Sequence, residues 1–330
     1  MENCKIDLNK RILTFNRLSN ENVVNAFTLK PFDFSNNGKN IIMDSNNEIK
    51  TNNNNYNNNY NNNYNNNNCV KYQYNNCIKS QYNDLKNILG INLTTSKIIK
   101  PVQKHTNNVQ IVDETNINNY FDNTDGLITN LKNVALATSL ADCQGILIYD
   151  PNKSVIGNVH SGWRGTLKRI VINAIHLMEE KFNSNPADIE IYICPSILKC
   201  CFEVDEDVEI LFRNEFNDIN IDEFIETKYK TIDKNENETI TIDKNKNKTE
   251  NINELTNDDI RNIDEFVESK TKKYYIDTVG INKAVLVKEG VKQENIITSN
   301  ICTKCNSDKI HSYRADGKNA GRNLSIIMMT

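Results

Sequence analysis

From Asp44 to Asn68 the chain is nearly all asparagine, punctuated by Tyr56, Tyr60 and Tyr64, and from Asn217 to Lys270 it runs through Asn, Lys, Glu, Asp and Thr. Neither tract carries enough apolar surface to offset the entropy lost when a backbone is ordered. Both read as disordered insertions, 44–68 and 217–270. Setting them aside leaves 251 of the 330 residues, enough for a single domain, 1–330 with two interruptions, around one sizeable core. In the second tract Thr231-Ile-Asp-Lys-Asn recurs from Thr241 and Ile221-Asp-Glu-Phe recurs from Ile263. Two copies fall short of the roughly three that a stacked repeat array needs.

The remaining sequence alternates between two periods. Gln81 to Leu89 has helical spacing through Tyr82, Leu85, Ile88 and Leu89, with Gly90 placed to end it. Thr166 to Phe182 is the clearest helix: Leu167, Ile170, Val171, Ala174, Ile175 and Met178 form an apolar stripe, with Arg169, Asn173, His176 and Glu180 opposite. Asp205 is placed to cap a helix through Phe216, and Asp277 to Glu289 reads as another, ended by Gly290. Ile12 to Phe15, Val23 to Leu29, Lys97 to Val102, Ile189 to Cys194, Ile296 to Ile301 and Leu324 to Met329 read as strands. The elements interleave without strict alternation. That predicts an α/β (α+β) fold of mixed sheets in layers, and no glycine fingerprint of a dinucleotide-binding unit occurs.

The formal net charge is −4, and no basic stripe exists outside the second tract, so nucleic acid is not an expected partner. No apolar run approaches membrane-spanning length and the N-terminal residues lack a signal-peptide core, which leads to the expectation of a cytoplasmic protein without a membrane partner. Nine cysteines, an odd number, then favour thiols or metal ligands over a disulfide framework.

Chemistry concentrates between Ala141 and Gly165. Asp142 and Cys143 are followed by an apolar run from Ile146 to Tyr149, a turn at Pro151-Asn152 and a second run that ends at His160. If the runs pair as a hairpin, Cys143 and His160 fall at the same end of a sheet, close enough to share a metal. Next comes His160-Ser-Gly-Trp-Arg-Gly165, where two glycines bracket the only tryptophan and an arginine. Glycine there permits close backbone approach to a ligand.

Asp142-Cys143 with His160 to Gly165 resembles the bacterial YfiH-type family, once called multicopper polyphenol oxidases (laccases) and now treated as purine nucleoside phosphorylases with adenosine deaminase activity. Matching pieces follow in order: Gln103-Lys104-His105, Thr124-Asp-Gly-Leu-Ile-Thr129, Pro195-Ser196 through Val204, Cys302-Thr303, and Ser312-Tyr313-Arg314 through Arg322. The chain departs from the pattern in two places. Thr28 to Ser35 replaces an Arg-Gly-Gly turn, so that arginine's contact is missing or has passed to Lys30, and Cys194 stands where a glycine usually precedes the Pro195 position.

The resemblance implies that His105, Cys143 and His160 are metal ligands, whereas a lone histidine near a strand end is more often structural. Imidazole and thiolate suit zinc, and three protein ligands leave a fourth position for water or substrate. The same set suits copper, but laccase chemistry needs several coppers and more than the four histidines present. The expected activity is therefore zinc-dependent phosphorolysis of purine nucleosides (adenosine, inosine, methylthioadenosine) with phosphate, giving base and ribose 1-phosphate, together with adenosine deamination. Alternatives are a copper-dependent polyphenol oxidase, editing of peptidoglycan precursors, and a non-catalytic zinc-stabilised binding module.

Phosphorolysis needs a phosphate clamp, and the planar fork of arginine supplies one. Arg164, Arg314 and Arg322 all lie in motif loops, with Arg164 and Arg314 favoured; Ser196 and Tyr313 are further substrate candidates, Tyr313 by stacking on the base. Deamination needs a carboxylate beside an activated water, and Asp142 is the candidate, with support of a ligand histidine as its other possible role. Cys302 and Cys305 form a C-x-x-C without a second pair at zinc-ribbon spacing, and the adjacent Cys200 and Cys201 are expected to pack in the interior.

Overall fold

The computed structural model describes residues 4–19, 23–35, 41–43, 49–50, 71–92, 95–231 and 270–330. These fall into two compact units, Met1–Ile197 with Asn282–Thr330, and Leu198–Ile281.

The first unit holds two mixed sheets. One has eight strands in the order Cys4–Asp7, Ile12–Phe15, Val23–Thr28, Asn323–Met329, Val134–Leu140, Lys97–Lys100, Ile41–Met43 and Ile49–Lys50. The other has six, in the order Ile296–Thr298, Glu190–Ile193, Gln144–Asp150, Val155–Ser161, Gly126–Thr129 and Val109–Ile111. Most pairings are antiparallel. Lys97–Lys100 with Val134–Leu140, Glu190–Ile193 with Ile296–Thr298, and Val109–Ile111 with Gly126–Thr129 are parallel.

Side-chain alternation explains the layering. In Asn323–Met329, Ile327 and Met329 join Phe15, Phe27 and Leu136 against Leu147, Tyr149, Ile156 and Tyr192 of the second sheet, forming the core between the sheets. Leu324, Ile326 and Met328 point the other way, where Ala135 and Ala137 leave room for Tyr82 and Leu85 of the helix Lys71–Leu89. A strand buried on both faces reads as a continuous apolar run, which is how Leu324 to Met329 appears in the sequence. Asn158 ties the layers together: its Nδ2 donates to the carbonyls of Leu136 (3.0 Å) and Ser325 (3.1 Å) in the other sheet.

The second unit is a three-stranded sheet, ordered Glu203–Val204, Lys270–Ile276 and Ile225–Thr231, with the helix Glu206–Glu215 packed on it. Asp205 stands at the N-cap of that helix without a side-chain capping bond, because its carboxylate pairs with Lys273 instead.

The expected mixed α/β layers are present, and three local expectations need correction. The helix from Thr166 to Phe182 is two helices, Trp163–Leu167 and Ile170–Phe182, separated where Arg169 takes a left-handed backbone (φ 52°). The polar insertion starts later than composition suggests, since Ile221–Glu223 is a helical turn and Ile225–Thr231 a strand. Ile225 and Tyr229, with Tyr274 and Ile276 on the paired strand, supply buried residues that an average over the tract conceals. Cys200, expected in the interior, is exposed, its sulfur 3.7 Å from that of Cys201. Residues 232–269 and all of 44–68 except 49–50 lie outside the described residues, as does the second copy of each duplicated segment. Among the described residues no helix is long and apolar enough to cross a membrane.

Thr231 and Lys270 are cross-strand partners at the end of their hairpin, so a two-residue turn spans the gap. Replacing 232–269 with Asn-Gly should leave Tm, read by calorimetry, within about 3 °C of the parent. A fall beyond about 10 °C would show that the segment contributes packing.

Candidate metal centre

The two apolar runs do pair as a hairpin. Gln144–Asp150 and Val155–Ser161 are antiparallel, with Gly145 opposite His160 and Gln144 opposite Ser161, and Asp150 Oδ1 accepts from the amides of Asn152 and Lys153 in the turn. Cys143, one residue before the first strand, therefore lies beside His160. The third member, His105, comes from a loop after Lys97–Lys100 and holds a left-handed backbone (φ 57°). Its ring meets that of His160 edge to face, centroids 4.8 Å apart, and its Nε2 is 3.9 Å from Cys143 Sγ. The three ligand atoms all lie within 4.8 Å of one another.

A residue outside the expected set holds this arrangement. Asp125 is fully buried, immediately before the strand Gly126–Thr129, which pairs with Val155–Ser161. Its carboxylate accepts the backbone N–H groups of Lys104 (3.1 Å), His105 (3.0 Å) and Thr106 (2.7 Å) and the Thr106 hydroxyl (2.8 Å). Oδ1 also takes Nδ1 of His160 at 2.7 Å, and the Asp125 carbonyl takes the His160 amide at 2.7 Å. One carboxylate thus folds the His105 loop and fixes the His160 ring with Nε2 left as ligand atom. Thr124 to Thr129 was singled out as a motif without a role for Asp125. The available signal was an acid directly before a buried strand.

Burial alone would raise the carboxyl pKa of Asp125, but His160 and the Thr106 contacts outweigh it and hold the value at about 2. Burial likewise opposes charge on Cys143 and His160. The imidazoles nevertheless bring the thiol down to about 6, and the neighbouring thiolate and Asp125 bring His160 up to about 9. A thiolate is the form that binds metal.

Gly162 is required for space. A Cβ there would lie 2.9 Å from Cys143 Sγ and 2.9 Å from His105 Cδ2, although its φ of −74° suits any residue. The close approach expected of this glycine is to the ligands themselves. Two imidazoles and a thiolate at this spacing fit a tetrahedral soft-to-borderline metal such as zinc, whose bonds of roughly 2.0–2.3 Å bring ligand atoms within such distances.

The other expected residues divide by accessibility. Arg164 is exposed two residues beyond Gly162, its guanidinium carbon 4.1 Å from the Trp163 ring centroid. Tyr313 and Arg314 are exposed on the short helix Tyr313–Asp316, capped by Ser312 Oγ accepting from Ala315 N. Asp142 draws that helix in. On a left-handed backbone (φ 82°), its carboxylate accepts Arg314 N–H at 2.6 Å and the Thr303 hydroxyl at 2.6 Å. The carboxylate bonded to a ligand histidine is Asp125, so Asp142 does not fill that second role.

Arg322, half-buried, directs Nη1 to the carbonyls of Ala320 (2.7 Å) and Gly321 (2.9 Å) in its own loop. Ser196 is 1% exposed, so the substrate contact expected of its hydroxyl is not available in this arrangement. Lys30, in place of the missing arginine, donates to the carbonyl of Ser307 at 2.7 Å. His311 bonds the Phe32 carbonyl at 2.9 Å, and His176 is exposed beside Glu289 at 3.1 Å.

Known proteins resemble this chain in sequence and fold. Residues 51–245 and 240–330 match the family model described as multi-copper polyphenol oxidoreductase laccase. A Bacillus subtilis protein named purine nucleoside phosphorylase YlmD is 31% identical over 206 residues, 62% of this chain and 59% of that protein, so the match spans under two thirds of its length. A protein named adenosine deaminase RL5, from an unknown prokaryotic organism, is 27% identical over 245 residues, 72% of this chain and 76% of the relative. Among solved structures, Bacillus licheniformis YfiH superposes over 100% of both chains with a TM-score of 0.67 at 20% identity, a likeness of fold.

Two predictions follow from the geometry. Gly162→Ala should weaken metal affinity by roughly tenfold or more while the chain still folds, read by chelator competition, since the added methyl displaces ligand atoms. For Asp125 the folded pKa lies below the ordinary 3.8, so its stabilisation is complete above about pH 4 and is lost as pH falls towards 2. Asp125→Asn should have the lower Tm near neutrality, and the gap to wild type should close over that acid range. A gap independent of pH would contradict the assignment.

Proposed function

The chain belongs to the YfiH-type family, described as multi-copper polyphenol oxidoreductase laccase, and we propose that it is a zinc-dependent purine nucleoside phosphorylase of the cytoplasm that also deaminates adenosine. The observation that carries the reading is the His105, Cys143 and His160 set, preformed by Asp125 and leaving a fourth coordination position for water or substrate. A zinc ion held by these three residues would act as a Lewis acid and lower the pKa of bound water towards about 7.

The remaining work falls to the chain's own groups. Arg164 and Arg314 offer exposed guanidinium groups for phosphate, and a paired N–H···O contact suits its oxygens. Tyr313, 51% exposed beside Arg314, offers a ring face for a purine. Asp142 holds Arg314 by its backbone and so orients this pair; its carboxylate is also the candidate to carry a proton during deamination. Adenosine, inosine and methylthioadenosine are the proposed nucleosides, with base and ribose 1-phosphate as products.

Zinc is preferred over copper on the histidine inventory. Four histidines occur in the chain, and among the described residues neither His176 nor His311 falls in a group of candidate ligands. His105, Cys143 and His160 thus form the single histidine-bearing group there, whereas multicopper oxidation draws on several copper centres.

Elemental analysis of purified protein, with product analysis on adenosine with and without phosphate, tests the reading directly. Cys143→Ala should lower zinc stoichiometry and abolish turnover together, because two imidazoles hold zinc far more weakly than a set with a charged sulfur. Full zinc and full activity in that variant would refute the mechanism. Arg164→Ala should keep its metal while KM for phosphate rises roughly 10- to 100-fold, the equivalent of a charge-assisted contact worth about 1.5 to 3 kcal/mol. Unchanged phosphate dependence would remove Arg164 from the clamp.

A further inference from the structure

Directly behind the ligand hairpin lies a buried polar cluster that the proposed reaction does not use. Gln144 and Ser161 are cross-strand partners, each one residue along the chain from a ligand, Cys143 and His160. Both side chains are about 1% exposed, as are Thr166 and Asn282. Asn282 lies in the helix Thr278–Lys288, at the start of the part that belongs to the first unit. Its Nδ2 is 3.0 Å from Gln144 Oε1, 3.4 Å from Thr166 Oγ1 and 3.5 Å from Ser161 Oγ, and the two hydroxyls are 3.0 Å apart.

A polar cluster in a dry interior costs free energy unless its members satisfy one another, and apolar side chains of similar volume would fill the space at least as well. What apolar packing lacks is direction. A hydrogen-bonded amide admits few relative placements of the groups it joins, and here those groups end both ligand strands and anchor the helix carrying Arg164.

We infer that Asn282 is a positioning residue for the metal centre, setting the separation of Cys143 and His160 from behind through Gln144 and Ser161. The inference rests on the reading of His105, Cys143 and His160 as metal ligands. Asn282 reaches no ligand atom itself. It acts as the partners of ligating residues act elsewhere, where their loss costs roughly 10- to 100-fold in metal affinity. Without its N–H groups, Gln144 and Ser161 take other rotamers or admit water, and the strand ends they cap shift relative to each other.

The test uses the full-length chain after chelator dialysis, with cobalt(II) as the probe. Cobalt bound by a thiolate gives a sulfur-to-metal charge-transfer band, and its visible d–d bands report coordination geometry. Wild type should bind cobalt with both signatures, and the component of the charge-transfer band supplied by Cys143, read as the difference spectrum, should be absent from Cys143→Ala. Asn282→Leu, similar in volume, should bind cobalt roughly 10- to 100-fold more weakly with altered d–d bands. Thr166→Val, isosteric and bonded to Ser161 and Asn282, not to a ligand, should show a smaller loss in the same direction and keeps the test available if the leucine variant does not fold.

A purely structural role would lower Tm and leave the cobalt affinity and spectrum at wild-type values, and that result in Asn282→Leu, or in Thr166→Val if only it folds, overturns the inference. Failure of wild type to bind cobalt with a Cys143-dependent band overturns the metal reading beneath it, a distinguishable outcome.

Discussion

The buried carboxylate of Asp125 is the contact on which the centre depends. A charge with no exposure to solvent is tolerated only if it is densely hydrogen-bonded. Asp125 meets that condition with three backbone amides, a hydroxyl and an imidazole. Those partners belong to two separate chain segments, the loop at His105 and the strand Val155–Ser161. The requirement to satisfy one charge therefore brings two ligands together. It also explains why His105 tolerates a left-handed backbone: three successive amides turned towards one anion form a concave nest, and that curvature needs positive φ at one position.

A second carboxylate, Asp142, organises the opposite rim. Its oxygens bind Thr303 and the amide of Arg314, while its own carbonyl accepts the amide of Ile197 at 2.8 Å. The residue next to ligand Cys143 thereby gathers the segments that carry Tyr313 and Arg314. Lys30 fixes the same region through the Ser307 carbonyl, and its own amide donates to the Lys309 carbonyl at 2.8 Å. The Arg-Gly-Gly turn expected at this place has been exchanged for a clasp made by a lysine. Asp142 thus joins the candidate metal centre to the segments of Thr303 and Arg314.

The hairpin was legible because its information is local: two apolar runs joined by a turn at Pro151-Asn152 pair with each other, and their register sets Cys143 beside His160. The participation of His105 was not legible from spacing, since 38 residues separate it from Cys143, and it came only from resemblance. Asp125 and Asn282 were missed for a related reason. An acid before a strand and an asparagine in a helix are ordinary locally, and only tertiary pairing gives them partners. The break at Arg169 escaped notice because Leu167, before it, stands three and four residues from Ile170 and Val171, so the helical apolar spacing runs across it in the sequence. The late onset of the second insertion was hidden in the same way by averaging, with Ile225 and Tyr229 too few to lift the mean.

Burial is distributed unevenly about the centre, and the unevenness gives it a direction. Asp125, His160, Gln144 and Asn282 are closed off from solvent, while His105, Arg164, Tyr313 and Arg314 are exposed. On the closed side Asp125, His160, Gln144 and Asn282 are each hydrogen-bonded to backbone or to another buried group, so His160 is held in place before anything binds. Arg164, Tyr313 and Arg314 on the open side present long side chains to solvent. Rigid charge placement favours stabilisation of one developing charge distribution, whereas an adaptable rim favours acceptance of related substrates. The centre combines the two sides in this way, with Asp125 fixing His160 on the buried side and Arg164, Tyr313 and Arg314 offering charge and an aromatic face on the exposed one.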